Sequence, residues 1–137
     1  VSARTKARKR ALDMLYAADL REVPIERVLA DEAERAVGEP ERQASWLYAR
    51  EIVDGVIDHR AEIDELITSH SRGWTLERMP AIDRAVLRIA VWEIVHNDEV
   101  PDGVAISEAV ESVTVLSTDD SAGFVNGLLS AVAGDRS

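Results

Sequence analysis

The sequence predicts an all-α fold, a single bundle of six or seven helices, and three observations predict it. Ala, Leu, Arg and Glu, all good helix formers, dominate the chain. Apolar residues recur at three- and four-residue spacing along most of its length, with no sustained period-two alternation bounded by Asn-Gly or Asp-Gly turns. The 137 residues are 46% hydrophobic, which is enough for one folded core without staples.

Ala7, Ala11, Leu15 and Ala18 form the first apolar stripe, with Met14 beside it, on a helix over roughly Ala3 to Glu22. Pro24 stops it, because the residue before a proline avoids helical geometry. Ile25, Val28, Leu29 and Ala33 mark a short second helix, which ends at Gly38-Glu39-Pro40. Ala44, Leu47, Tyr48, Ile52, Val53 and Val56 line a third stripe from Glu41 onward, and Ile63, Leu66 and Ile67 a fourth. These two stripes fit one bent helix or two separate ones. Ser71-Arg72-Gly73 closes that region, and Trp74 and Leu76 anchor the loop.

Pro80 suits the first turn of the next helix. There Ile82, Ala85, Val86, Ile89, Ala90 and the run Val91 to Val95 are so densely apolar that the helix belongs at the centre. Pro101 marks another start, with Val104, Ile106, Val110, Val113 and Leu116 behind it. Ser117 to Ser121 supplies cap residues for a last helix, Phe124 to Val132, terminated by Gly134. Gly127 in that helix is expected to let another backbone approach.

Charge divides the chain. It carries 16 Lys+Arg and 26 Asp+Glu, a net −10, which taken whole argues against a polyanionic partner. The first ten residues, however, hold Arg4, Lys6, Arg8, Lys9 and Arg10 and no acid, or +5, leaving −15 on the other 127. Cations in a first helical turn oppose the helix dipole, so this run costs stability where it stands; it fits either a surface that grips phosphates or a solvated helix end that keeps the chain soluble.

The motifs of catalysis are missing from the sequence. It has no cysteine, hence no thiolate nucleophile or zinc-thiolate site, and this fits a reducing, cytoplasmic compartment. No Walker loop, Rossmann fingerprint or nucleophile elbow occurs. His59, His70 and His96 lack the spacing of metal-ligand motifs, so neither a metal nor another cofactor is expected. No apolar run reaches the roughly 18 to 20 residues of a membrane span, and Val1 to Arg10 lacks the apolar region of a secretory signal. Gly123 and Phe124 stand where exposed N–H groups at a helix start and an aromatic ring suit an anion and an unpaired base, with a core position for Phe124 as the alternative.

A resemblance joins these features. The run Arg4-x-x-Ala7-Arg8-x-x-Ala11-Leu12-x-x-Leu15-Tyr16, Ile63-Asp64, Trp74-x-Leu76 and Asp83-Arg84-Ala85-Val86-Leu87-Arg88-Ile89-Ala90-x-x-Glu93 resemble the NusB family of transcription antitermination factors. So do Val100-Pro101-x-x-Val104-Ala105-Ile106-x-Glu108-Ala109-Val110-Glu111 and Ser121-x-x-Phe124-Val125-Asn126-Gly127-x-Leu129. The resemblance implies two helical subbundles, and residues 1–137 as a single RNA-binding domain with a basic arm over residues 1–10. It implies binding of the single-stranded boxA element of ribosomal transcripts together with NusE, the small-subunit ribosomal protein ten. NusA, NusG and RNA polymerase are the indirect partners, and no catalytic activity is implied.

By the same resemblance the RNA contacts fall on Arg4, Lys6, Arg8, Lys9, Arg10, Asp120, Ser121 and Phe124, and the NusE-facing positions on Glu77, Asp83 and Arg84. About five phosphate contacts to a single strand imply a log–log salt slope of roughly −3 to −4. Thr5 stands where the family often has arginine, Gly123 where it often has lysine, and Leu116-Ser117 where it has an aromatic-Gly pair. Two other readings stay open: a homodimeric scaffold whose basic arm pairs with its acidic body, and a stand-alone relative of the NusB-like domain of ribosomal RNA methyltransferases, with no catalytic domain expected within 137 residues.

Overall fold

A computed structural model describes residues 2–136, so Val1, the first residue of the basic arm, and Ser137 lie outside the description. The described residues form seven α-helices, two short 3-10 turns and no strand. They fall into two compact units that divide between Asp58 and His59.

The first unit holds α1 (Ala3–Arg21), α2 (Ile25–Ala36) and α3 (Gln43–Asp58), with a 3-10 turn at Pro40–Arg42. Ser2 caps α1, its hydroxyl accepting from the Thr5 N–H at 3.1 Å. At the other end Glu22 turns left-handed (φ 55°) and the Val23 N–H reaches back to the Ala18 carbonyl, which closes the helix just before Pro24. Helix α1 packs chiefly along α3. The contact is built from Ala7, Ala11 and Leu15 on one side and Ala49, Ile52, Val53 and Val56 on the other, all buried. The alanines keep the two backbones close, and each buried aliphatic chain contributes about 1.5–3 kcal/mol.

The second unit holds α4 (Arg60–His70), α5 (Ala81–His96), α6 (Asp102–Leu116) and α7 (Ser121–Arg136), with a 3-10 turn at Leu76–Arg78. Helix α5 is its centre, packed by α4, α6 and α7, and every residue from Ala85 to Ile94 is buried. Prolines 80 and 101 occupy the N-cap positions of α5 and α6. They sit one residue ahead of the first turn, a difference within the ordinary scatter of helix boundaries. Arg88, buried on α5, donates from Nε and Nη2 to the two oxygens of Asp64 on α4 at 2.9 and 3.3 Å. Such a two-point bond fixes the roll of one helix against the other.

Helices α3 and α4 are separate, broken at His59, whose φ of −118° and ψ of 23° interrupt the ladder. The last helix corrects the expected bounds: α7 starts at Ser121 and runs through Gly134 to Arg136. Gly134 therefore does not end it. Nor does Gly127 admit a neighbouring backbone, since a Cβ placed there, or at Gly123, would meet nothing within 4 Å.

Candidate nucleic-acid interface

The basic residues of α1 meet two aromatic rings of α3. The Arg4 guanidinium lies 4.9 Å from the centre of the Tyr48 ring and that of Arg8 5.9 Å from the same ring, while Arg10 lies 5.5 Å from the centre of the Trp46 ring. Arg10 also donates to the Ser45 hydroxyl at 3.2 Å. Cation–π contacts of this kind are worth about 0.5–2 kcal/mol each. They offset the unfavourable placing of cations at the positive end of α1, where the first turn has no acid.

The five cations are not equivalent. Arg8 is 8% exposed and packs inward, Arg4 and Arg10 are half-buried, and Lys6 and Lys9 are exposed. Lys9 is paired with exposed Asp13 at 2.6 Å, a surface pair worth at most about 1 kcal/mol and therefore easily exchanged for a phosphate.

In the second unit the Trp74 and Phe124 rings lie 6.1 Å apart, tilted by 45°. Trp74 is 53% exposed and Phe124 half-buried. They border an open groove of about 520 Å³ that Arg78, Thr118 and Asp120 also line. A second groove on the pair is lined by Arg72 and His70. The loop carrying Trp74 is sharply formed: Arg72 and Gly73 both have positive φ (53° and 95°), and the single proton of the buried Ser71 hydroxyl is shared between the Thr68 and Trp74 carbonyls.

Phe124 is placed by a hydroxyl–carboxylate cluster. Asp83, 2% exposed on α5, accepts from the Ser117 hydroxyl at 2.6 Å and from the Ser121 hydroxyl at 2.8 Å. Ser121 also receives the Thr118 N–H at 3.3 Å. The start of α7, one turn before Phe124, is thus pinned to α5. Of the residues assigned by resemblance, Asp120 and Glu77 are exposed, whereas Ser121 and Asp83 are buried and bonded to each other. Arg84 donates to the Leu76 and Met79 carbonyls at 3.0 and 2.8 Å, which braces the turn that presents Glu77 and Arg78.

When protonated, His70 donates through both ring nitrogens, Nδ1 to the Leu66 carbonyl at 2.8 Å and Nε2 to Asp135 at 2.6 Å. The Asp135 bond, then the Leu66 bond, raises its pKa above the ordinary 6.5. The stabilisation from this pair is fully present below about 6.5 and is lost as pH rises through the raised folded-state value. D135N is expected to return the His70 midpoint toward 6.5 in an NMR titration of the ring protons. An unchanged midpoint would rule Asp135 out as the cause.

Sequence reasoning missed the rings of Trp46 and Tyr48 as a seat for the arginines, and Arg72, Arg78 and Trp74 as neighbours of Phe124. Trp74, expected to anchor its loop, is largely exposed instead, and an arginine beside a tryptophan in the run Arg72-Gly73-Trp74 was the available signal. It also missed a cluster of ligating atoms: one nitrogen each from His59 and His96 and one oxygen from Glu62 lie within 4.8 Å of one another.

Three arginines seated on aromatic rings beside exposed lysines, and a partly exposed aromatic pair flanked by arginines, are the surfaces of a single-strand nucleic-acid-binding class of all-helical protein. Residues 5–134 match the model of the NusB family, and the chain belongs to that family. It is 69% identical over 136 residues to the transcription antitermination protein NusB of Leifsonia xyli subsp. xyli, covering 99% of this chain and 94% of that protein. It is 62% identical over 133 residues to the NusB of Clavibacter sepedonicus, covering 97% of each. Among solved structures, T. maritima NusB matches with a TM-score of 0.83 at 29% identity, over 96% of this chain and 91% of that one. A chain in the crystal structure of antitermination factors NusB and NusE in complex with dsRNA matches at 0.82 and 27% identity, over 97% of each. No helix among the described residues is long and apolar enough to cross a membrane.

Proposed function

We propose that the chain is a transcription antitermination factor that binds the boxA element of nascent ribosomal RNA together with NusE, and through that pair joins NusA, NusG and RNA polymerase. It works in the cytoplasm as an adaptor, without catalysis, and residues 1–137 act as one RNA-binding module with residues 1–10 as its basic arm. The observation that carries the reading is the Trp74–Phe124 pair flanked by Arg72 and Arg78, a stacking platform beside cations. The relative solved with NusE and RNA supports the choice of partners.

Within this reading Arg4, Lys6, Lys9 and Arg10 neutralise phosphates, Phe124 and Trp74 stack on unpaired bases, and Asp120 accepts hydrogen bonds from base edges. Arg8 and Ser121 act from inside, Arg8 by holding Tyr48 under Arg4 and Ser121 by holding the start of α7. On the partner side Glu77 faces NusE, and Asp83 and Arg84 position the elements around it.

Fluorescence anisotropy with a short boxA RNA and a scrambled control, with and without NusE, tests the proposal. Tighter binding of boxA in the presence of NusE is the expected result, and equal binding of both RNAs would refute it. With Arg8 packed inward, about four phosphate contacts remain, and the log–log salt slope is expected near −3. In the K6A/R10A double variant the slope is expected to flatten by about one to one and a half. An unchanged slope would place the phosphate contacts elsewhere.

A further inference from the structure

His59, Glu62 and His96 meet on the surface of the second unit. His59 directly precedes α4, Glu62 is in the first turn of that helix, and His96 is the last residue of α5. The Glu62 Oε1 atom lies 2.5 Å from His96 Nε2 and 3.7 Å from His59 Nδ1. The two imidazoles are stacked, with centroids 3.7 Å apart and planes 16° from parallel. Arg60, the nearest cation in sequence, is turned to Asp64 at 3.3 Å, which leaves the Glu62 carboxylate to the two histidines.

We propose that these three residues bind a divalent transition-metal ion of the zinc class. The donor set, two imidazole nitrogens and one carboxylate oxygen, is that of an open four-coordinate zinc site in which water fills the fourth position. Ligand atoms around such an ion stand about 3.3 Å apart, given bonds of about 2.0–2.1 Å; the two oxygen–nitrogen separations, 2.5 and 3.7 Å, bracket that value, and the two nitrogens lie within 4.8 Å of each other. One carboxylate with two neutral imidazoles offers the charge and the borderline softness that favour Zn²⁺, Ni²⁺ or Cu²⁺ over Mg²⁺ and Ca²⁺, which take oxygen ligands. Capture of an ion requires the stacked rings to turn until their lone pairs converge. All three side chains are at least 24% exposed, so the rings have room to turn and the ion a path from solvent. Once bound, the ion ties the beginning of α4 to the end of α5 and stabilises the folded state by mass action.

Isothermal titration of the chelator-treated full chain with ZnCl₂ tests the site. One ion per chain is expected, with affinity reduced about tenfold or more in H59A, in H96A and in E62Q. H70A, which removes the histidine paired with Asp135, is expected to bind as the unaltered chain does. In the unaltered chain, NMR of the histidine rings is expected to show Zn²⁺ shifting His59 and His96 and sparing His70, and MgCl₂ shifting none of them. Wild-type affinity in both H59A and H96A would overturn the proposal. So would a Zn²⁺ response confined to His70, a readout that does not depend on any variant folding.

Discussion

Replacing Phe124 with alanine is expected to weaken binding of boxA RNA by roughly 5- to 150-fold, and Trp74→Ala by a similar factor. Stacking of one base on one ring is worth about 1–3 kcal/mol in single-strand complexes, and these rings stand 6.1 Å apart with arginines on either side. Because Trp74 is largely exposed, its removal should leave the melting temperature nearly unchanged, so a loss of affinity reads directly as a lost RNA contact. Phe124 is half-buried, and its variant should melt slightly earlier. Anisotropy at fixed salt, paired with thermal melts, separates the two effects. If both variants bound RNA as the unaltered chain does, the platform would not be the binding surface.

The second large effect belongs to Asp83. Alanine there removes the acceptor of two hydrogen bonds, a buried one from Ser121 and a part-buried one from Ser117, and leaves the Ser121 hydroxyl in a dry environment without its carboxylate. The expected cost is about 1–3 kcal/mol, a drop of several degrees in Tm. RNA affinity should fall as well, since the start of α7 carries Phe124 one turn later. Asparagine keeps one acceptor oxygen and should lose less on both measures. A D83A chain that melted normally would show that the carboxylate does not pin α7 to α5.

Helix positions were legible wherever a stripe had an unambiguous stop. Pro24, Pro80 and Pro101 marked boundaries to within a residue because proline lacks the N–H that a helix interior requires. The density of apolar residues from Ile82 to Val95 predicts a central helix, and α5 is the centre of the second unit. The break at His59 was not legible, since no glycine or proline stands there and the apolar spacing runs across it. Gly134 misled in the other direction. A helical glycine costs only about 1 kcal/mol, which the surrounding turns of α7 absorb.

The candidate site divides the same way. Its charge was legible, because five cations and no acid in ten residues cannot be mistaken. Its architecture was not. Arg4 and Tyr48 are far apart in sequence and meet only because α1 lies along α3, and His59 and His96 meet only because α4 packs on α5. Asp83 fell among the NusE-facing positions by resemblance, and helical periodicity alone does not say that α5 is enclosed on that side as well. Serines 117 and 121 read as cap residues for α7, a role that hid their use as donors to a buried carboxylate.

The arginines over Tyr48 and Trp46 also bear on how fast and how tightly RNA is met. A free arginine chain surrenders rotamer freedom when it grips a phosphate, at a cost of about 0.5–1.5 kcal/mol for each chain immobilised. Arg4 and Arg10 already rest on rings before any ligand arrives, so much of that entropy was lost when the protein folded. Under the proposed function the arm meets a transcript as a preorganised comb, and the acidic remainder of the chain, at −15, repels polyanions that do not fit its teeth.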